Sequence, residues 1–355
     1  MTKSICFFNH KGGVSKTTTT YNLGWTLSKL GKRTLLVDLD PQCNLTGLVL
    51  SNQALDDEFM KNFYQNRQYI TFEPIVEKII SGKIISEMAN DGSIYPVDNQ
   101  NLFLLAGSLN ISELDSQITT ALKITTGLPI LGRIIANFFE TLEKIAENND
   151  IDYLLFDLSP SISGLNELAL MGSDYFIVPT SPDYFCLQAI HSLSKKINQW
   201  HKEIEEFKKD TKIKIKNNPL FLGAIQQRYR LRNEAPTKSF EKWINEIRNA
   251  INSVLVNKLK PINCVITKEL FSSVVNKKFP NLRPYDLAQI PDFNTLIAIS
   301  QRSRKPVFLL DDDDLKTAHQ FGKAMDTSKE KIKDFHKLFM DLGEIIINLT
   351  QSRPA

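Results

Sequence analysis

Apolar residues along this chain fall into short continuous runs separated by longer amphipathic stretches. That alternation is expected of buried strands joined by helices. The runs are Ile5-Cys6-Phe7-Phe8, Arg33 to Asp38 (RTLLVD), Asn101 to Leu105 (NLFLL), Asp152 to Asp157 (DYLLFD), Asp174 to Pro179 (DYFIVP) and Leu220 to Ile225 (LFLGAI). Helical spacing follows the first run at Leu23, Leu27 and Leu30. Between Leu128 and Asn148, helical spacing lets Leu131, Ile134, Ile135, Phe138, Leu142 and Ile145 share one face as core packing. Cys186 to Phe207 reads as a helix with a charged, solvated second half. Lys329 to Leu349 reads as another, with Ile332, Phe335, Leu338, Phe339, Leu342, Ile345 and Ile346 on one side. Residues 51–100 are polar, with apolar clusters only at Ile79-Ile80 and Ile84-Ile85, and predict one or two surface helices. The class is α/β.

The first run leads into Gly12, Gly13 and then Lys16-Thr17-Thr18. A strand, a glycine turn and a helix in that order aim backbone N–H groups and a helix N-terminus at one point, where an anion is stabilised. The ordinary phosphate-loop pattern G-x-x-x-x-G-K-[ST] fails twice here, at His10 and Ser15. The deviant form K-G-G-x-x-K-[ST] fits, as Lys11, Gly12, Gly13, Val14, Ser15, Lys16 and Thr17. A glycine–lysine pair alone would read as a surface turn; the flanking strand, flanking helix and paired lysines argue against it. The loop resembles that of the ParA/MinD group of dimerising ATPases, and the chain as a whole a ParA/Soj-type partition ATPase. The string D-x-D-P-Q at Asp38 to Gln42 is similar to that group's first switch. Asp157 with Leu158-Ser159-Pro160-Ser161, Gly164 and the strand ending at Pro179 resembles its second.

The resemblance implies a doubly wound, mainly parallel P-loop NTPase fold of the deviant Walker A type. It covers roughly residues 1–50, 101–193, 219–228 and 285–349. Residues 1–350 would form one ATPase domain, with a variable insert at about 51–100 and an enlarged basic region at about 226–284. It also implies ATP and Mg2+. Lys11, Gly12, Gly13, Val14, Ser15, Lys16, Thr17 and Thr18 would hold the phosphates, with Lys11 reaching across to a partner's nucleotide and Lys16 holding its own. Thr17, Asp38 and Asp157 would serve the metal, and Asp40 would orient the attacking water. Gln227 and Pro291 would lie near the base, although Asp292 stands where many relatives carry arginine. Phosphoryl transfer asks for positioning and charge more than covalent help, which suits this residue set.

Net charge over the 355 residues is only +3, but it is unevenly spread. Gln226 to Lys305 nets +9 and the remainder −6. The bias reads as a solvated face or as the footprint of non-specific DNA binding. Candidate contacts are Arg228, Arg230, Arg232, Lys277, Lys278, Arg302, Arg304 and Lys305. Cysteines 6, 43, 186 and 264 form no C-x-x-C pair, which points to free thiols rather than zinc, a disulfide framework or a bridging iron–sulfur cluster. No signal peptide precedes the first strand and no apolar run reaches spanning length, so the chain is expected to be cytoplasmic and possible nucleoid company follows from DNA binding. The resemblance implies a self-dimer, with an adaptor or centromere-binding protein stimulating hydrolysis. Two other readings stay open: a MinD-like membrane-associated regulator docking through the terminal helix, and a regulatory ATPase in a larger complex that binds neither DNA nor lipid. Acidic Asp334, Asp341 and Glu344 on that helix's polar side make membrane docking the poorer expectation.

Overall fold

In the computed structural model, residues 1–51, 53, 56–65, 68–81, 92–97, 100–123, 129–211, 213–232 and 235–351 are described. The chain runs β1 (Lys3–Phe7), α1 (Lys16–Lys29), β2 (Thr34–Asp38), α2 (Asn44–Leu50), α3 (Asp57–Gln65), α4 (Phe72–Ile80), β3 (Tyr95–Pro96) and β4 (Leu102–Leu105). It continues through α5 (Ile111–Lys123), α6 (Pro129–Asn148), β5 (Tyr153–Asp157), α7 (Gly164–Gly172), β6 (Tyr175–Thr180), α8 (Tyr184–Thr211) and β7 (Leu220–Tyr229). The last part holds the small hairpin β8 (Leu231–Arg232) and β9 (Ala235–Pro236), then α9 (Lys238–Ala250), α10 (Val256–Leu259) and α11 (Lys268–Val275). It ends with β10 (Asp286–Pro291), α12 (Leu296–Ser303), α13 (Asp312–Thr317) and α14 (Gly322–Gln351).

Eight strands form one sheet in the order β10-β7-β6-β1-β5-β2-β4-β3, parallel except for the edge strand β3. Every residue of β2, β5 and β6 is buried, because helices cover both faces of a parallel sheet. The step from β1 to β2 runs one way along the sheet and the step from β5 to β6 runs the other. Right-handed crossovers therefore put α1 and α7 on opposite faces. On one side α1 packs against α14; on the other α5 packs against α6 and α7, and α8 against α7 and α9. The direction in which successive strands are added reverses around β1, so the crevice beyond its C-terminal end is the switch point where such sheets bind ligands.

The expected strands are present, with β7 carried on to Tyr229, four residues past Ile225. The insert holds α3 and α4, in line with one or two surface helices, while Ile84-Ile85 lies outside the described residues. The helix expected from Leu128 begins at Pro129; Leu128 and the side chain of Leu131 are likewise outside. On α14, Ile332, Phe335, Phe339, Leu342, Ile345 and Ile346 are buried and Leu338 is half-buried against the same core, so the stripe is core packing. No helix among the described residues is long and apolar enough to cross a membrane. The run Asp311 to Asp314 opens α13 with a capping box, Asp311 accepting from the N–H groups of Asp313 and Asp314. All four cysteines are free, and only Cys43 is not buried.

Candidate functional site

The loop between β1 and α1 is shaped as an anion cradle. Ser15 is the N-cap of α1 but sits in the left-handed region at φ 58° and makes no side-chain cap. The first helical N–H groups are thus left to a ligand rather than closed off by the protein. Gly13 at φ 71° supplies the other unusual backbone angle, one that costs glycine little. Asn9 holds both lysines in register: its Oδ1 accepts from the Lys11 N–H at 3.0 Å and its carbonyl from Lys16 Nζ at 3.0 Å. Its own amide is anchored on the Pro179 carbonyl of β6 at 2.9 Å. Burial lowers the Lys16 pKa, with Asp157 and Asp40 acting against it.

Carboxylates act on this amine from the C-terminal ends of β5, which flanks β1, and of β2, one strand further out. Asp157 is buried, and neither of its oxygens meets a donor at full hydrogen-bonding geometry, although the Thr17 hydroxyl lies close enough to act on it. Burial, then the charge of Asp38, pushes its pKa up to about 8 against the opposing pull of Thr17 and Lys16. A buried carboxylate with unused oxygens beside a threonine hydroxyl is the donor set a hard divalent cation takes. Asp38 is also buried, but its oxygens already accept from the Thr46 N–H at 2.8 Å, the Thr46 hydroxyl at 2.7 Å and the Asp40 N–H at 3.2 Å. It holds the first switch in place, and burial raises its pKa to about 6. A Cβ on Gly107 would come within 3.1 Å of Asp38 and Cys43, so the loop after β4 closes against this switch. Asp40 is 6% exposed and accepts from the Gln42 N–H at 3.0 Å. In the second switch Asn166 donates to the carbonyls of Ser159 and Ser161 at 3.0 and 2.8 Å and fixes the turn after Asp157.

Lys11 leaves its own cradle. Its Nζ donates to Asp183 Oδ2 at 2.6 Å and to Ser181 Oγ at 2.8 Å, both beyond the end of β6. Burial favours the neutral acid at Asp183, but bonds from Lys11, the Cys186 N–H and Ser181 outweigh it and lower the pKa. Large apolar side chains stand exposed in the segments after β4, β5 and β6: Leu109 (74%), Ile162 (46%), Tyr184 (53%) and Phe185 (71%). They share the crevice end of the sheet with Lys11.

The base candidates separate. Gln227 is buried and committed to the loop, its Nε2 donating to the Val14 carbonyl at 3.3 Å and its Oε1 accepting from Thr19 at 2.9 Å. Pro291, at the end of β10, instead lines a cavity of about 370 Å³ with Tyr229, Leu231 and Phe335. The DNA candidates separate too. Arg228 donates to the Gly13 carbonyl. Lys278 pairs with Asp341 and Glu344 at 3.0 and 2.7 Å, and Lys305 with Asp311 and Asp314 at 2.6 and 2.8 Å. Arg304 donates to Gln53 at 3.0 Å. Arg230, Lys277 and Arg302 stand exposed, and the Arg232 side chain lies outside the described residues. Asn9, Asn166, Ser181 and Asp183 went unnoticed in the sequence. Asn9 alone had a signal there, as the first residue of the three that join the apolar run to the two glycines.

A family model described as an AAA domain matches residues 2–213. An uncharacterized protein of Methanocaldococcus jannaschii is 28% identical over 238 residues, 67% of this chain and 78% of that one. The sporulation initiation inhibitor protein Soj of Bacillus subtilis is 28% identical over 193 residues, 54% of this chain and 64% of Soj, so the match spans a little under two thirds of that relative. Among solved structures, pNOB8 ParA bound to nonspecific DNA is similar with a TM-score of 0.56 at 18% identity, covering 99% of this chain and 100% of that one.

Proposed function

The chain belongs to the AAA-domain family, in its ParA/Soj-type group, and from that premise we propose that it is a Mg-ATP-dependent dimerising ATPase acting as a nucleotide switch in DNA partition or cargo positioning. The observation that carries this is the uncapped start of α1 and buried Lys16 set against the buried, under-satisfied carboxylate of Asp157 with Thr17 beside it. Cationic and anionic halves of one small crevice suit a triphosphate with its metal. Thr17 and Asp157 are the residues that would hold Mg2+, which supplies charge neutralisation on the phosphate oxygens. Lys16 and the N–H groups at the start of α1 bind the same protomer's phosphates. Asp38 keeps the first switch folded so that Asp40 can orient the attacking water.

Lys11 would complete the partner's site, as a cation supplied in trans. The exposed Leu109, Ile162, Tyr184 and Phe185 suit burial against a second copy, since a group of large apolar side chains at one end of a molecule favours association. Hydrolysis would then separate the dimer and make assembly depend on nucleotide. A membrane role finds no support, the α14 stripe being buried in the chain itself. The similarity to a ParA bound to nonspecific DNA, together with the exposed Arg230, Lys277 and Arg302, supports duplex DNA as the matrix. Light scattering with a slowly hydrolysed ATP analogue tests the core of this reading. Lys11→Ala should bind nucleotide through Lys16 yet remain monomeric. A variant that dimerises like the wild type would remove the two-protomer mechanism.

A further inference from the structure

We propose that Gln227 and Arg228 at the end of β7 are positioning residues that brace the phosphate loop from outside and set its nucleotide affinity. In a regular strand, consecutive side chains point to opposite faces, so neighbours cannot both serve one loop. Here the β7–β10 register slips by one: Ile290 pairs with Gln227 and Pro291 with Tyr229, leaving Arg228 as the extra residue of a bulge. Arg228 adopts φ 60°, a left-handed angle rare for a residue with a Cβ. A bulge of this kind re-aims a side chain. The result is that Gln227 donates to the Val14 carbonyl while Arg228 donates to the adjoining Gly13 carbonyl.

Those two carbonyls matter because peptide groups are planar. Fixing the Gly13 C=O fixes the Val14 N–H pointing the opposite way, and fixing the Val14 C=O does the same for the Ser15 N–H. Both amides belong to the anion cradle. Gln227 is further tied to α1 by the hydroxyl of Thr19 at 2.9 Å, so loop, helix and strand end are pinned together. Ser15 lies where the ordinary pattern has a flexible glycine, and its left-handed angle is held with no side-chain cap. An external brace supplies the preorganisation that the loop's own sequence lacks. Arg228 is thereby assigned to the nucleotide site and not to the DNA surface.

This rests on the ATP reading, and the experiment keeps the two apart. Full-length wild type, Arg228→Ala and Arg228→Lys are titrated with a fluorescent ATP analogue and Mg2+. Hydrogen exchange of residues 12–18 and thermal melting are then followed without nucleotide. Arg228→Ala should bind about tenfold more weakly, the scale of one lost bond from a charged donor. Arg228→Lys should recover part of that affinity, and the loop amides of Arg228→Ala should exchange faster at an unchanged melting temperature. Equal affinity and exchange in wild type and Arg228→Ala would overturn the brace. So would weaker DNA binding at unchanged nucleotide affinity, which would return Arg228 to the DNA surface. A lower melting temperature matching the affinity loss would make it a general fold contact instead. No binding by the wild type would sink the ATP reading and this inference with it.

Discussion

If Lys11 acts across a dimer, it must first leave Asp183 and Ser181, and that cost can be worked out. The Lys11 and Asp183 side chains are 22% and 39% exposed, so the pair is partly screened by solvent. Pairs of this exposure contribute about 0.5–1 kcal/mol. Forming a dimer breaks two of them, which makes the total about 1–2 kcal/mol, or roughly 5- to 30-fold in the dimer dissociation constant. The perturbation is Asp183→Asn. It removes the charge but keeps an Oδ1 acceptor for the Cys186 N–H at 2.9 Å, so the start of α8 stays capped. Sedimentation velocity with Mg2+ and a slowly hydrolysed analogue should show Asp183→Asn dimerising 5- to 30-fold more tightly. Ser181→Ala should shift the constant the same way by less. The double variant Lys11→Ala/Asp183→Asn should behave as Lys11→Ala alone, because the two residues act through one contact. Dimerisation of Asp183→Asn equal to or weaker than wild type would refute the reasoning.

Asp40→Asn should slow hydrolysis by about 10²-fold or more while ATP-dependent dimers persist, since positioning a water belongs to the transition state and not to assembly; single-turnover hydrolysis and light scattering check the two halves. In duplex binding by the ATP form, Arg230→Ala, Lys277→Ala or Arg302→Ala should each reduce the salt slope by about 1, whereas Lys278→Ala and Lys305→Ala, already neutralised within the chain, should leave it nearly unchanged. Glu167 on α7 is buried, and burial followed by the nearby Glu203 carboxylate raises its pKa to about 9. A carboxyl whose pKa is raised by folding adds stability below its unfolded value near pH 4.5, and that stability fades as pH climbs toward about 9. Glu167→Gln should therefore flatten the fall in melting temperature between pH 5 and 9, by at least about 2 °C at the alkaline end. Parallel curves for the two proteins would contradict the assignment.

What could be read from the sequence was whatever short-range pattern determines. The run Ile5 to Phe8 is wholly buried because a central parallel strand touches helices on both faces, and the same logic delivered Asp38 and Asp157 at strand ends. The α14 stripe could be read for the same reason, helical period being local. Asp183 lies 172 residues from Lys11 and Arg228 lies 215 from Gly13, so no spacing rule joins either pair. The Arg228 bulge exists only relative to β10, some sixty residues on, and a one-residue slip leaves no mark in composition. Charge counting failed in a related way. It registered Lys278 and Lys305 as cations but could not see Asp341 and Glu344 on α14, or the α13 cap, folding back to neutralise them.

The two lysines of the loop are held in opposite ways, and this bears on how the site can be filled. Lys16 is 7% exposed, with a backbone carbonyl as its hydrogen-bond acceptor, and the charges of Asp157 and Asp40 only partly offset its burial, so an incoming anion improves its surroundings. Lys11 already has a carboxylate and gains little from a phosphate unless the phosphate offers more charge than Asp183. A lone phosphate at the start of α1 should therefore draw in Lys16 without moving Lys11. The fuller charge of a triphosphate across an interface is what can compete for Lys11. On the proposed reading, separating the amines in this way would let a chain bind nucleotide alone while reserving its second lysine for a partner that also carries one.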